Sequence, residues 1–241
     1  MTAAALKGRA EVMIPAGGAT LAGELLVPRD AKGIVVFAHG SGSSRHSPRN
    51  RYVAEIIRSA GVGTLLFDLL TPEEEKIDAV THALRFDIRL LATRLNAAVR
   101  WLTSTEVGSG MPIGLFGAST GAAAALVAAA ELGSTVKAVV SRGGRPDLAG
   151  DHLRTVKAST LLIVGSRDTA VISLNQHAFY ALKCEKELAF VPGATHLFEE
   201  PGALERVAEL AAVWFGRHLS NEHRSYHESQ TRKNSRQEAA A

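Results

Sequence analysis

The sequence predicts an α/β protein in which a mostly parallel sheet is covered by helices on both faces and entered through an N-terminal β-hairpin. Short, β-branched apolar runs, among them "GIVVFAHG" (33–40) and "STLLIVG" (159–165), suit strands buried on both faces. Between them lie longer stretches with apolar residues at three- and four-residue intervals, the mark of amphipathic helices. The regular alternation of the two implies parallel strands joined by right-handed crossovers.

In order, "AEVMIPAGGATLAGELLVP" places two partly alternating runs around Ala16, Gly17 and Gly18, which reads as a hairpin. "GIVVFAHG" follows as a buried strand, "NRYVAEIIRSA" as a helix stopped by Gly61, and "VGTLLFDLL" as a strand. Glu73, Glu74 and Glu75 after Pro72 read as the acidic first turn of a helix rather than a metal site. "FDIRLLATRLNAAVRWLTS" is amphipathic; "PIGLFG", "VKAVVS" and "STLLIVG" are buried strands separated by an alanine-rich helix after Ser119 and a short helical stretch near "LAGDHLRTV". "SLNQHAFYAL" and "GALERVAELAAVWFGRHL" are helices flanking the strand "KELAFVPG".

At 241 residues, one hydrophobic core can serve the chain, assigned here to a single domain over 1–219. From Ser220 onward no Leu, Ile, Val or Phe occurs, so 220–241 is expected to be a disordered tail. The 27 basic and 24 acidic side chains are interspersed, so a net charge of +3 implies no nucleic-acid partner. The first residues lack the apolar run of a signal peptide, and no segment has the length and apolarity of a membrane span; a cytoplasmic location without membrane association is expected. Cys184 is the one cysteine, which excludes an intrachain disulfide, and its place near a helix end without a clear base reads as inert or as a minor redox target. Neither H-E-x-x-H nor a phosphate-binding G-x-x-x-x-G-K-[ST] is present, so no metal and no cofactor are expected.

The chemistry concentrates where Gly117-Ala118-Ser119-Thr120-Gly121 joins a strand to a helix. A G-x-S-x-G sequence in that setting is a nucleophile elbow: the chain doubles back, small residues two positions either side avoid collision, and the hydroxyl projects beyond the sheet edge. A serine hydroxyl needs a base oriented by an acid. Asp168 ends "LLIVGSRD" and His196 sits in "AFVPGATHLF" beyond the last strand, each at a carboxyl end of the sheet. Separately, Asp168 would serve equally as a helix cap and His196 as a packed loop residue; together they complete the order Ser, Asp, His. A tetrahedral oxyanion requires prepositioned donors. One is expected from the Thr120 N–H and the other from "His39-Gly40-Ser41-Gly42", either the Ser41 or the Gly42 N–H, with His39 supporting the loop rather than donating a proton.

With these residues in place, the sequence resembles the α/β-hydrolase superfamily, and within it the dienelactone hydrolase-like group, over about residues 10–219. The resemblance rests on "HGSGSSRHSPRN", "FGASTGAAAAL", "LLIVGSRD" and "VPGATHLFEEPG". It implies an α/β-hydrolase fold and acyl-enzyme chemistry on a small-molecule ester. Dienelactone hydrolases carry a cysteine nucleophile where this chain has Ser119, which favours a general carboxylesterase over a lactonase, with thioesters or lactones fitting the same machinery. Some similar chains are joined to a phosphoribosyltransferase-like domain, for which no room is expected here. The segment between the strands ending near Ser141 and starting near Ser159 is too short for a cap domain, so an open site and small to medium esters are expected; "LLTPEEEKIDAVTHALRF" could cover one side. A reading from another class is a ligand-binding or receptor protein that keeps the scaffold without turnover.

Several arginines follow predicted strand ends. Arg142 could form a bidentate pair with a substrate carboxylate or phosphate, and Arg45 is a second candidate substrate-binding residue, together with His39. Loop anchoring or surface solvation are the alternatives for both arginines.

Overall fold

The computed structural model describes residues 6–220, so the tail assigned to 220–241 lies, apart from Ser220, outside the described residues. Eight strands form one sheet in the order β1-β2-β4-β3-β5-β6-β7-β8. β1 (Leu6–Ala16) and β2 (Ala19–Pro28) make the expected hairpin, closed by Gly17 and Gly18, both at positive φ as a tight two-residue turn demands. β2 pairs antiparallel with β4 (Gly63–Phe67), and all pairings from β4 through β3 (Ile34–Ala38), β5 (Ile113–Ala118), β6 (Val136–Arg142), β7 (Ser159–Gly165) and β8 (Lys186–Val191) are parallel.

Helices α1 (Pro48–Ser59) and α6 (Ala203–His218) cover one face, burying Val53, Ile57, Val207 and Phe215 against strand residues such as Val35, Phe116 and Val140. α3 (Ile88–Ser104), α4 (Thr120–Leu132) and α5 (Thr169–Ala181) lie on the other, where Leu95, Val99, Leu126 and Ala178 meet Val36, Leu115 and Leu162. α5 begins at Thr169, immediately after Asp168, and so extends four residues further towards its strand than the apolar pattern indicated. Between β6 and β7 the chain makes only a 3-10 segment over Pro146–Thr155. The insertion after β4 folds as α2 (Pro72–Thr81), whose start is fixed by a capping box between Thr71 and Glu74.

This strand order puts the functional loops together. From β3 the chain crosses to β4 on one side and then returns to β5 on the other, so the loops leaving β3 and β5 diverge and open a crevice at the carboxyl edge. α4 starts at that crevice and is buried from Thr120 through Ala129. Its alanines allow a close approach to the sheet, and its first turn tolerates no side chain at all: a Cβ on Gly121 would lie 2.2 Å from the Ala38 carbonyl oxygen, and one on Gly117 would lie 2.4 Å from the Ala122 Cα.

Gly121→Ala is therefore expected to destabilise the fold by about 3 kcal/mol or more, because the obstructing atoms are backbone and cannot rotate away. Gly216→Ala in α6, where an added Cβ meets nothing within 4 Å, is expected to be neutral or to stabilise by up to about 1 kcal/mol. Urea denaturation of the two variants checks both.

Candidate active site

Ser119 occupies the turn between β5 and α4 with φ 51° and ψ −120°, a region that non-glycine residues avoid at a cost of about 1–3 kcal/mol. The surrounding backbone holds it there. Its N–H donates to the Arg142 carbonyl at 3.2 Å, while its own carbonyl accepts from the Ala122 and Arg145 N–H groups, each at 3.1 Å. Gly40 from the β3 loop passes so close that a Cβ on it would be 3.1 Å from the Ser119 Cβ. The residue is half-buried at the head of the crevice.

Asp168 follows β7 and stands at the N-cap position of α5, yet its side chain makes no capping bond. Instead Oδ2 lies 2.7 Å from Nδ1 of His196, in the loop after β8. The carboxylate is buried while the imidazole is 38% exposed, so one side of the pair is fixed and the other faces solvent. A carboxylate on Nδ1 places the proton there and leaves Nε2 as the free base. The histidine loop is itself anchored. Phe198, two residues on, is 1% exposed, which contributes about 1.5–3 kcal/mol. Glu200 Oε1 accepts from the Thr195 N–H and hydroxyl at 3.1 and 2.6 Å. Gly143, after β6, backs onto the loop, where a Cβ would lie 3.1 Å from the His196 carbonyl oxygen.

The loop after β3 supplies backbone donors. Among the described residues, the N–H groups of Ser41, Gly42 and Thr120 donate to no protein acceptor, and the Ser41 and Thr120 hydroxyls are 3.0 Å apart, joining the loop to the first turn of α4. His39 is spent on support: Nε2 accepts the Leu69 N–H at 3.0 Å, which leaves Nδ1 to donate to the Gly40 carbonyl at 3.0 Å. Burial pushes its pKa below the ordinary 6.5, so the ring is neutral.

A cleft of about 690 Å³ opens from Gly40, Ser41 and Thr120. Its floor is apolar, from Leu69, Leu70 and Leu91, and α2 forms its far wall through Glu75, Asp78 and Ala79. The insertion thus covers one side, as its position suggested. α2 is held by Asp78, which accepts from the Arg85 N–H at 3.0 Å and the Arg85 Nε at 2.6 Å, and by Glu74, whose Oε1 is 2.7 Å from Arg94 Nη2. Only Glu75 of the three consecutive acids lines the cleft, a placement that composition alone did not separate from its neighbours. Arg49 and Arg85, absent from the sequence-derived site, also line it. The only signal for them was proximity to flagged segments.

The two candidate arginines diverge. Neither lines the cleft; Arg45 is an anchor, its N–H donating to Asp68 Oδ1 at 2.7 Å and its guanidinium paired with Asp68 Oδ2. Arg142 is 8% exposed, with Nε and Nη1 buried and, among the described residues, without a hydrogen-bond partner. Its guanidinium carbon sits 5.9 Å from the Phe198 ring centre. Burial, reinforced by the like charge of Arg49, pushes its pKa down to about 10, so it is still a cation at neutral pH.

A buried neutral His39 makes stability pH-dependent. The unfolded chain takes up a proton near pH 6.5 and the folded one only at lower pH, so this contribution is complete above pH 6.5 and declines as the pH falls below it. His39→Gln is expected to flatten the fall in thermal midpoint between about pH 6.5 and 5, and to lose about 1–3 kcal/mol at pH 8 if the Leu69 N–H is left without an acceptor. Melting curves of both proteins across that range decide this.

Comparison with known proteins agrees with the fold. A crystal structure of a dienelactone hydrolase from Anabaena variabilis superposes with a TM-score of 0.86 at 57% identity, covering 88% of this chain and 98% of that one. Est1E from Butyrivibrio proteoclasticus (TM-score 0.73, 17% identity, 87% and 98% covered) and the Pyrococcus furiosus esterase Pf2001 (0.72, 20%, 88% and 94%) share the fold. A Mycobacterium tuberculosis protein that carries a provisional phosphoribosyl transferase name is 60% identical over 209 residues, 87% of this chain but 46% of that protein. The chain therefore spans about half the length of the curated relatives it matches. Residues 21–233 match the dienelactone hydrolase family model, and the chain belongs to that family of α/β hydrolases.

Proposed function

We propose that the protein is a serine hydrolase that cleaves small to medium carboxylic esters through an acyl-enzyme intermediate. The observation that carries the reading is the 2.7 Å contact of Asp168 with His196 in preference to the helix end that Asp168 is placed to cap. A carboxylate diverted from a capping role orients an imidazole, and an oriented imidazole at the same carboxyl edge of the sheet as an elbow serine can serve as its general base.

In this mechanism His196 Nε2 takes the proton of the Ser119 hydroxyl as Oγ attacks the ester carbonyl. Asp168 holds the tautomer and stabilises the imidazolium. The oxyanion is met by the Thr120 N–H and by that of Ser41 or Gly42, a contribution of about 2.7–4 kcal/mol per donor in studied enzymes. The imidazolium then protonates the leaving alkoxide, and water activated by His196 releases the acid. Ser119 in place of the family's cysteine favours esters; thioesters and lactones suit the same groups. The cleft size and the absence of a cap between β6 and β7 support substrates of modest length.

The test is hydrolysis of p-nitrophenyl esters from acetate to decanoate. Activity is expected to peak at short chains and to fall by about ten-thousandfold or more in Ser119→Ala. Asp168→Asn is expected to lose about ten-thousandfold in kcat, because the amide favours the wrong tautomer. A fluorophosphonate probe should label Ser119 in the wild type. Folded wild-type protein that neither turns over these esters nor takes the label would instead support a non-catalytic binding protein.

A further inference from the structure

The hydroxyl groups of Ser41 and Thr120, 3.0 Å apart, are left without a task once the main chain has supplied the oxyanion donors. Their environments differ. Thr120 is 2% exposed, Ser41 is half-buried, and both border the cleft. Among the described residues each hydroxyl has the other as its hydrogen-bond partner. A buried hydroxyl proton left unpaired costs stability, whereas one at the mouth of the cleft does not. Thr120 Oγ1 therefore donates and Ser41 Oγ accepts, which leaves the Ser41 proton free for a group in the cleft.

Close backbone approaches fix where that proton is offered. A Cβ on Gly40 would lie 3.1 Å from the Ser119 Cβ, and one on Gly121 would lie 2.2 Å from the Ala38 carbonyl oxygen, so the start of the β3 loop is pressed against the elbow. The loop then turns at once. The Ser43 N–H donates to the Gly40 carbonyl at 3.2 Å, with Ser41 and Gly42 as the central residues and Gly42 at φ 64°. Glycine takes that positive φ without strain, and the closed turn leaves Ser41 one backbone setting. Ser41 Oγ, three bonds from its own unpaired amide nitrogen, is thus held against the residue that follows the nucleophile.

From this hydroxyl pair we infer that the Ser41 side chain is a third oxyanion donor, joining the main-chain amides in the transition state, and that Thr120 is the positioning residue whose hydroxyl orients it. The inference rests on the acyl-enzyme reading of the site. As Ser119 Oγ bonds to the ester carbon, the carbonyl π pair moves onto its oxygen and the Ser119 proton passes to His196. The Ser41 O–H tightens onto that alkoxide as a charge-assisted hydrogen bond and keeps its proton. Collapse of the adduct re-forms the carbonyl and expels the leaving group, so Ser41 is unchanged over the cycle. Unlike the amides, this donor is carried by a side chain and is open to substitution.

The experiment measures kcat and KM for p-nitrophenyl butyrate in the wild type, Ser41→Ala, Thr120→Val and the double variant, all of which keep every backbone N–H. Ser41→Ala is expected to lower kcat by about 100-fold with KM unchanged, the lower end for loss of one oxyanion donor. Thr120→Val removes the orienting bond but not the Ser41 proton, and is expected to lose about tenfold or less. The double variant should match Ser41→Ala, because the Thr120 hydroxyl acts only through Ser41. Ser41→Thr, which retains a hydroxyl, should recover part of the loss. Butylboronic acid supplies a second readout: boron bonds to Ser119 Oγ, the serine proton passes to His196, and a boronate oxygen takes the oxyanion position. Its Ki should rise in Ser41→Ala by about the factor that kcat falls, while the Ki of the product butyrate stays constant. Equal losses in the two single variants would overturn the inference by showing that the pair only ties the loop to α4. So would an unaltered kcat in Ser41→Ala, a loss confined to KM, or a Thr120→Val effect undiminished in the double variant. If the wild type does not hydrolyse the ester, the acyl-enzyme reading fails separately and the boronate decides the donor. Binding by the wild type that Ser41→Ala weakens supports it, and no binding or equal binding in both overturns it.

Discussion

The rest of the site depends on one close approach of main chains, where the ends of β3 and β5 meet the first turn of α4. At Gly121 and Gly117 a single methyl group would penetrate backbone atoms at 2.2 and 2.4 Å. Because the chains are that close, the residue between them must turn through positive φ, and Ser119 is held there by hydrogen bonds from its N–H and to its carbonyl. The same proximity sets the Ser41 and Thr120 hydroxyls 3.0 Å apart and leaves the nearby amide groups unpaired at the mouth of the cleft. Strain at the elbow and the free amides thus share one cause. The alanine content of α4 follows from it too, since larger side chains along that helix would force it away from the sheet.

Around this point, polar groups settle the loops into one arrangement each. His39 ties the loop after β3 to that after β4 by using both ring nitrogens on backbone groups. Asp68 secures Arg45 in the same region, and Glu200 closes the histidine loop through Thr195. The His39 and Asp68 contacts satisfy groups that burial would otherwise leave unpaired, and each of the three orients a loop that borders the site. Asp168 differs: it leaves a helix end without a side-chain cap in order to reach His196. Local stability is surrendered at that position for orientation, as is common where function sets the residue.

Arg142 is a further case in which local rules and the observed environment disagree. Its four neighbours of like type are compensated within the protein, and it is not. A cation at the end of a central strand, behind the histidine loop, with no compensating carboxylate among the described residues costs stability.

The sequence by itself determined the strand and helix alternation, the hairpin turn, the elbow and the order of Ser119, Asp168 and His196. These features are local: apolar periodicity reports burial, and the need for glycine at a reversing turn is set by the residues on either side of it. The family resemblance was legible for the same reason, being carried by short contiguous motifs. Only the tertiary structure decided what each polar group pairs with. Nothing within "LLIVGSRD" distinguishes a carboxylate that caps α5 from one that reaches a histidine 28 residues later. Nor does spacing separate Arg45, neutralised by Asp68 from the end of the neighbouring strand, from Arg142, whose guanidinium finds no carboxylate among the described residues. Likewise Glu75, alone of the three consecutive glutamates, came to line the cleft, and Arg49 joined its wall, only when α1 and α2 were set around the divergent loops. Pairing of charges depends on distances between segments remote in the chain, and those distances exist only once the sheet has brought the strand ends together.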